Sequence, residues 1–410
     1  MSTTTGINAE VRRANEQRVL AALRVEGALS RAALARRVRL SRTTLSEITA
    51  DLLGRGAITK VDTDADVRRG SGRPAERLAL DPAAGQYLGV DFGHRRVHVA
   101  IANASHEIVA SGLVRYDDST PWDDRLDLAF DAVEALSVEH SLHLSALQGV
   151  GIGVPGPYTG TRSGEAAPVA WNRNATPVGV DRAFAERYDS PVVVDNNTRL
   201  AALAEAMSGP DGLSDLTYVR LSDGVGGGFV VAGRLVRGSR GFAGELGHVT
   251  SDPGGVLCRC GKRGCLETVA SVPAILAACR SRGADVQDLD DLAVAVDRAD
   301  PVVDAVLREV GAAVGRVLGA AAMTLDPTEV VIGGEIVHVA PVIVEQAAST
   351  LRYELHSIPT SDTCTVRAGR LRDSDGAQGA LAATFHQSPL LAGYPEPGSF
   401  GASETQRSAQ

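Results

Sequence analysis

The sequence predicts an α/β protein in two parts: a small helical head carrying a wing, then a large body of glycine-rich hairpins, strands and long helices. Three observations predict this. Ser30 and Ser41 each precede a short run with helical apolar spacing, which reads as two capped helices joined by a tight turn. Glycine-punctuated hairpins fall at Tyr87–Ile101 and again at Tyr218–Val231, each among apolar strand-like runs. Charge divides the same way. Residues 1–80 hold 15 Lys+Arg against 9 Asp+Glu, a balance of +6, while the whole chain is −9, which leaves −15 for the remainder. A basic head on an acidic body implies that only the head meets a polyanion.

At 410 residues the chain has length for two or three domains and a large core. We place the boundaries at 1–82, 83–387 and 388–410. The last segment is rich in Pro, Gly and Ser without an apolar period and is expected to be disordered. With no run of about 18 apolar residues and no leader pattern, a cytoplasmic protein with no membrane contact is expected.

In the head, Asn8–Val25 reads as a helix with Val11, Val19, Leu20 and Leu23 on one side. Ser30 caps a second helix to Arg39, and Ser41 caps a third, Arg42–Leu53, with Leu45, Ile48 and Leu52 inward. Two short helices about a tight turn form a helix-turn-helix unit. The third helix would enter a DNA major groove with Arg42, Thr43, Ser46 and Glu47 near base edges or phosphates. Strands at Ala57–Val61 and Arg77–Leu80 flank a loop containing Arg68, Arg69 and Arg73, which makes the unit winged. Its Arg-Gly-Ser-Gly-Arg-Pro segment suits a minor-groove or phosphate contact. A protein–protein module with a solvated charge run is the competing reading; the charge balance favours double-stranded DNA.

The densest chemistry lies at Gly241–Ser271. His248, Cys258, Cys260 and Cys265 set four soft ligands within eighteen residues, using three of the chain's five cysteines. Zn²⁺ takes four N/S ligands tetrahedrally, and four protein ligands leave no open position for water, so a structural zinc is expected. Inert thiols beside an unrelated histidine are the alternative, and a disulfide is disfavoured without a secretion leader. Glu245 and Glu267 stand beside the ligands. A clamped loop would fix both carboxylates before binding, which suits a polyhydroxylated ligand whose hydroxyls donate to them.

From Gly238 to Glu267 the chain reads Gly-x-x-Gly-x-Ala-Gly-Glu-x-Gly-His and then Cys-x-Cys-Gly-x-x-Gly-Cys-x-Glu. This resembles the signature of the ROK family of repressors, open reading frames and sugar kinases, and weaker similarity extends over roughly residues 10–387. The resemblance implies a two-lobed actin-like (ribonuclease H-like) sugar-kinase fold for the body. It also implies a sugar site at Asn196, Asn197, Glu245, His248 and Glu267. A nucleotide site is implied at Asp91 and Gly93, at Gly224, Gly226 and Gly227, and at Gly333 and Gly334. Regulators of the family carry a winged head; its free-standing kinases do not.

The departures from the kinase pattern are as informative as the matches. In Val192–Glu205 the residue that resembles the catalytic Asp is Asn197, and an amide cannot take a proton from a sugar hydroxyl although it can hydrogen-bond one. A shift of one residue would put Asp195 in that role at the expense of the Asn196 match. The phosphate loop at Asp91 has His94 and Arg95 where small residues are usual, and Asp223 sets negative charge where a triphosphate would lie. In Ala167–Asn172, Val169 replaces a sugar-contacting Asn, and Trp171 reads as core or as a stacking platform.

The function these residues predict is a DNA-binding regulator of sugar-metabolism genes, a repressor, whose kinase-like body binds a sugar effector without phosphorylating it. It would act as a homodimer or homotetramer with a vestigial nucleotide site. Two other readings stand beside it: an ATP-dependent sugar kinase with a DNA-binding head, and a regulator with a dead sugar site that answers to a protein partner.

Overall fold

The computed structural model describes residues 15, 18–20, 22–23, 26–54, 58–61, 76–81, 86–103, 107–142, 144, 147–158, 179–208, 215–356, 364–371 and 374–387. In the head, residues 18–20, 22–23 and 26 are helical, followed by helices Arg31–Val38 and Arg42–Gly54. Both expected caps form: Ser30 Oγ accepts from the Ala33 N–H at 3.2 Å, and Ser41 Oγ from that of Thr44 at 3.1 Å. Strands β1 (Leu29–Ser30), β2 (Ile58–Val61) and β3 (Arg77–Leu80) pair antiparallel in the order β1-β3-β2. Leu34, Leu45, Ile48, Leu52 and Leu78 bury against Val19, Leu20 and Leu23 in a core of the head's own. Strand β1 was not foreseen, because two residues carry no period.

The body holds two five-stranded sheets of one topology. The first runs β6-β5-β4-β7-β8, from β4 (Gln86–Phe92), β5 (Arg96–Asn103), β6 (Ile108–Arg115), β7 (Leu147–Val154) and β8 (Val192–Asn196). The second runs β11-β10-β9-β12-β13, from β9 (Leu216–Leu221), β10 (Val225–Val231), β11 (Arg234–Leu235), β12 (Glu329–Gly333) and β13 (Thr365–Ala368). In both, three antiparallel strands lead and two parallel strands follow.

Every residue of β5 is buried, as a strand covered on both faces requires. Helix Trp122–Glu139 covers one face of the first sheet through Ala129 and Val133; helix Asp375–Gln387 covers the other through Ala377 and Leu381. The second sheet has the long helix Pro301–Leu325 with Val272–Ser281 and Val342–Glu354 on one side. On its other side lies Asn197–Met207, through Ala201, Ala202 and Ala206. Helices Asn197–Met207 and Asp375–Gln387 pack together through Leu200, Leu203, Ala380 and Ala383 and form the layer between the sheets. Their approach is close: a Cβ on Gly379 would meet the Leu200 carbonyl oxygen at 1.9 Å.

Asn197–Met207 therefore begins at the end of β8 in one lobe and lies on the sheet of the other, so its first turn sits at the cleft between them. The helix expected over Asp123–Leu144 stops at Glu139, where His140 caps it and Ser141 turns the chain at φ 54°. Helices Val180–Tyr188, Leu289–Asp297 and Val342–Glu354 were not anticipated. No helix among the described residues is long and apolar enough to cross a membrane.

Candidate functional site

The loop after β11 folds on short-range contacts. Antiparallel bridges join Thr250 to Cys265 and Leu257 to Arg263, and the Cys258 N–H donates to the Lys262 carbonyl at 2.7 Å. These turns gather His248, Cys258, Cys260 and Cys265, whose ligand atoms all lie within 4.8 Å of one another. Cys258 Sγ is 3.6 Å from His248 Nδ1, and the Sγ atoms of Cys260 and Cys265 are 3.5 Å apart. A tetrahedron with metal–sulfur bonds of about 2.3 Å has edges of about 3.8 Å, whereas a disulfide needs about 2.05 Å. The donor set fits one tetrahedral soft cation, and Zn²⁺ is the ion whose preference for mixed Cys and His ligands it matches.

Gly264 makes this turn possible. Its φ is +64°, and a Cβ there would lie 1.4 Å from the Asp252 carbonyl oxygen. Gly264→Ala is expected to abolish metal binding while leaving the head folded; zinc stoichiometry and helical circular dichroism check it.

A cleft of about 590 Å³ opens between the lobes beside this loop. On its inner wall lie Asn196 and Asn197 at the start of the central helix. Asn196 Oδ1 accepts from the N–H groups of Thr198 and Arg199, both at 3.0 Å, and its Nδ2 donates to the Gly156 carbonyl at 2.7 Å. Its side-chain oxygen thus serves as the helix cap. Asn197 donates from Nδ2 to the Phe92 carbonyl at 3.1 Å, across to the first hairpin. Asp195, which the sequence left as an alternative base, is 1% exposed. It is held by Arg199 at 2.6 Å and by Arg237. Two guanidinium groups thus engage that carboxylate, and Asp195 is not among the residues that line the cleft, whereas Asn197 is.

The metal loop supplies the outer wall with Glu245, His248 and Glu267. Burial raises the Glu245 carboxyl to about 7, against the opposing pull of Arg199. Burial also lowers His248. Glu267 accepts from the Val225 N–H at 3.1 Å and is forked by Arg259, with Nε 2.9 Å from one oxygen and Nη2 3.0 Å from the other. Arg259 was not singled out from the sequence, although its place between two cysteines of the cluster was a visible signal.

The residues matched to a nucleotide site separate into two groups. Gly93, Gly224 and Gly226 line the cleft, whereas Asp91, Gly227, Gly333 and Gly334 are not among its lining residues. Asp91 is 1% exposed, 3.7 Å from Arg220, which also reaches Asp375 at 3.2 Å. Gly227 faces Leu246, Gly333 the Tyr218 ring and Gly334 the Leu221 carbonyl, so close packing explains these glycines. Asp223 does line the cleft, as does Glu335, which pairs with Arg96 at 3.7 Å across the lobes. His94 lines it too, pairs with Asp118 at 3.5 Å and has its pKa lowered by burial, then by Arg259. Glu335 is thus a second carboxylate of the cleft lining, one that reading Gly333 and Gly334 alone did not single out.

In the head, Arg42, Thr43, Ser46 and Glu47 are all exposed on the first half of their helix, opposite the buried Leu45 and Ile48. Arg68, Arg69 and Arg73 lie outside the described residues, as do Ala167–Asn172 and the segment from Ser388.

The ROK family model matches residues 87–387. A putative xylose repressor of Caldicellulosiruptor sp. (strain Rt8B.4) is 29% identical over 272 residues, covering 66% of this chain and 67% of that protein. Among solved structures, a ROK family transcriptional regulator, a homologue of E. coli MLC, superposes with a TM-score of 0.73 at 22% identity, covering 93% of this chain and 97% of its own. A ROK family glucokinase from Streptomyces griseus, in complex with glucose and AMPPNP, gives 0.64 at 25% identity and covers 73% of this chain and 99% of its own.

Proposed function

The chain belongs to the ROK family, and on that premise we propose that it is a DNA-binding transcriptional repressor of sugar-metabolism genes, whose body takes a sugar as effector and does not phosphorylate it. The observation that carries this reading is the inner wall of the cleft: the amide Asn197, the residue that resembles the kinase Asp, lines it, and the neighbouring Asp195 is paired with Arg199 and Arg237. With an amide in place of a carboxylate at Asn197, that wall binds a hydroxyl and does not take its proton. Asp223 and Glu335 oppose a triphosphate on the other side.

The sugar lies between Asn197 on one lobe and Glu245, His248 and Glu267 on the other, with Asn196 offering its remaining N–H. A structural Zn²⁺ held by His248, Cys258, Cys260 and Cys265 fixes the outer wall. Residues 1–82 form a winged helix-turn-helix domain that binds operator DNA through Arg42, Thr43, Ser46 and Glu47, with Arg68, Arg69 and Arg73 on the wing. The coverage of the solved regulator, which extends past the body, supports this, as does the shorter coverage of the glucokinase. Sugar closes the lobes and changes the spacing of paired heads in a homodimer or homotetramer. Half-sites recur about every 34 Å of DNA, so a modest rotation takes both recognition helices out of register.

The test is ADP release by zinc-loaded protein with ATP, Mg²⁺ and a panel of pentoses, hexoses and N-acetylated hexosamines. No release above background is expected from the wild type, nor from Asn197→Asp alone, since Asp223 and Glu335 remain. Turnover by the wild type would make the protein a kinase with a DNA-binding head.

A further inference from the structure

Building on the sugar-responsive reading above, we propose that Arg259 is a built-in stand-in for the effector. Its guanidinium holds the Glu267 subsite in the ligand-free protein and is displaced by two adjacent hydroxyls of a pyranose. Arg259 and Glu267 both line the cleft, on the wall that carries Glu245 and His248. The pair is a two-pronged fork, with Nε to Oε1 at 2.9 Å and Nη2 to Oε2 at 3.0 Å.

A carboxylate offers about four lone-pair positions. The Val225 N–H takes one, at 3.1 Å, and the fork takes two more, so two sugar hydroxyls find no room unless the fork opens. The exposures agree. The Glu267 side chain is 11% exposed and that of Arg259 is 45% exposed, so the guanidinium enters from the open side and can swing back to water without stranding a buried cation. A vicinal diol presents two donors side by side, as the Nε–Nη2 edge of the guanidinium does. The exchange therefore preserves the hydrogen-bond count on Glu267, while the Val225 N–H keeps the carboxylate aimed. Gly224 keeps the subsite open, since a Cβ there would meet Glu267 Oε2 at 3.2 Å and Arg259 Nη2 at 3.7 Å.

A merely positioning role for Arg259 makes the opposite prediction. An arginine that holds Glu267 in place for the sugar would weaken binding when removed. A competitor strengthens it.

The experiment is calorimetric titration of the full-length, zinc-loaded wild type and of Arg259→Ala and Arg259→Gln with glucose, xylose and N-acetylglucosamine. Zinc content is measured on each protein. Arg259→Gln keeps the aliphatic stem and a shorter, uncharged amide donor if the alanine variant loses its metal. The expected result is about fivefold tighter binding by both variants, the scale of one half-exposed ion pair. Methylguanidinium chloride is expected to compete with sugar in Arg259→Ala, restoring the wild-type affinity. Sugar bound by the variants and not by the wild type also supports displacement. Unchanged or weaker binding by zinc-replete variants overturns it. If none of the three proteins binds any sugar, the sugar-responsive reading itself falls, and this inference with it.

Discussion

Arg199→Ala is expected to cost about 3–5 kcal/mol of stability, the penalty for breaking a buried ion pair by removing one partner. Arg199 and Asp195 are 1% and 2% exposed and lie 2.6 Å apart. The same guanidinium donates to the carbonyls of Gly241 and Ala243, which lead into the metal loop, and to that of Tyr158 in the first lobe. Removing it leaves a buried carboxylate with Arg237, half exposed, as its cation and the Asn196 N–H as a further donor, and withdraws a donor from three carbonyls. Trp122 and Trp171, the chain's two tryptophans, are both in the body, so urea unfolding followed by their fluorescence reports on the body rather than the head. The double variant Arg199→Met, Asp195→Leu removes both charges and is expected to lose less than Arg199→Ala alone. A loss below about 1 kcal/mol for the single variant would mean that this network does not tie the lobes to the loop.

The second large effect is on the metal. Cys260→Ser is expected to lower zinc affinity by at least about 100-fold, since even partners of metal ligands change it by 10–100-fold. Zinc stoichiometry should fall from one per chain to none, and sugar affinity with it, because Glu245 and Glu267 ride on the same loop. Cys279 is fully buried in the second lobe's core and outside the cluster, so Cys279→Ser is the matched control and keeps its zinc. Retention of stoichiometric zinc by Cys260→Ser would contradict the four-ligand site.

The parts of this fold legible in the sequence are those with a local cause. Ser30 and Ser41 announce their helices because a cap is a contact within a few residues. The His/Cys cluster was legible for the same reason: its four side chains, turns and glycines lie close together in the chain. What stayed hidden depends on distant contacts. Asp91 and Gly333 matched a nucleotide pattern by sequence, yet Asp91 faces Arg220 from the other sheet and Gly333 makes room for the Tyr218 ring. Close packing and phosphate binding both select glycine, and spacing does not separate them. Glu335 took its meaning only once the fold set it against Arg96, more than two hundred residues earlier in the chain. Likewise the choice between Asp195 and Asn197 was a question of register. The strand ends at Asn196, Asp195 meets Arg199 and Asn197 lines the cleft, contacts that no local pattern announces.

The central claim is that one sugar, bound and not phosphorylated, changes the grip on DNA. The direct measurement is affinity for an operator selected by this protein from random DNA, at one fixed salt concentration, with and without each sugar of the panel. The account predicts that one sugar weakens binding by at least about tenfold, a coupling of about 1.4 kcal/mol, and that the same DNA weakens sugar binding by the same factor. Operator affinity that no sugar alters would contradict it.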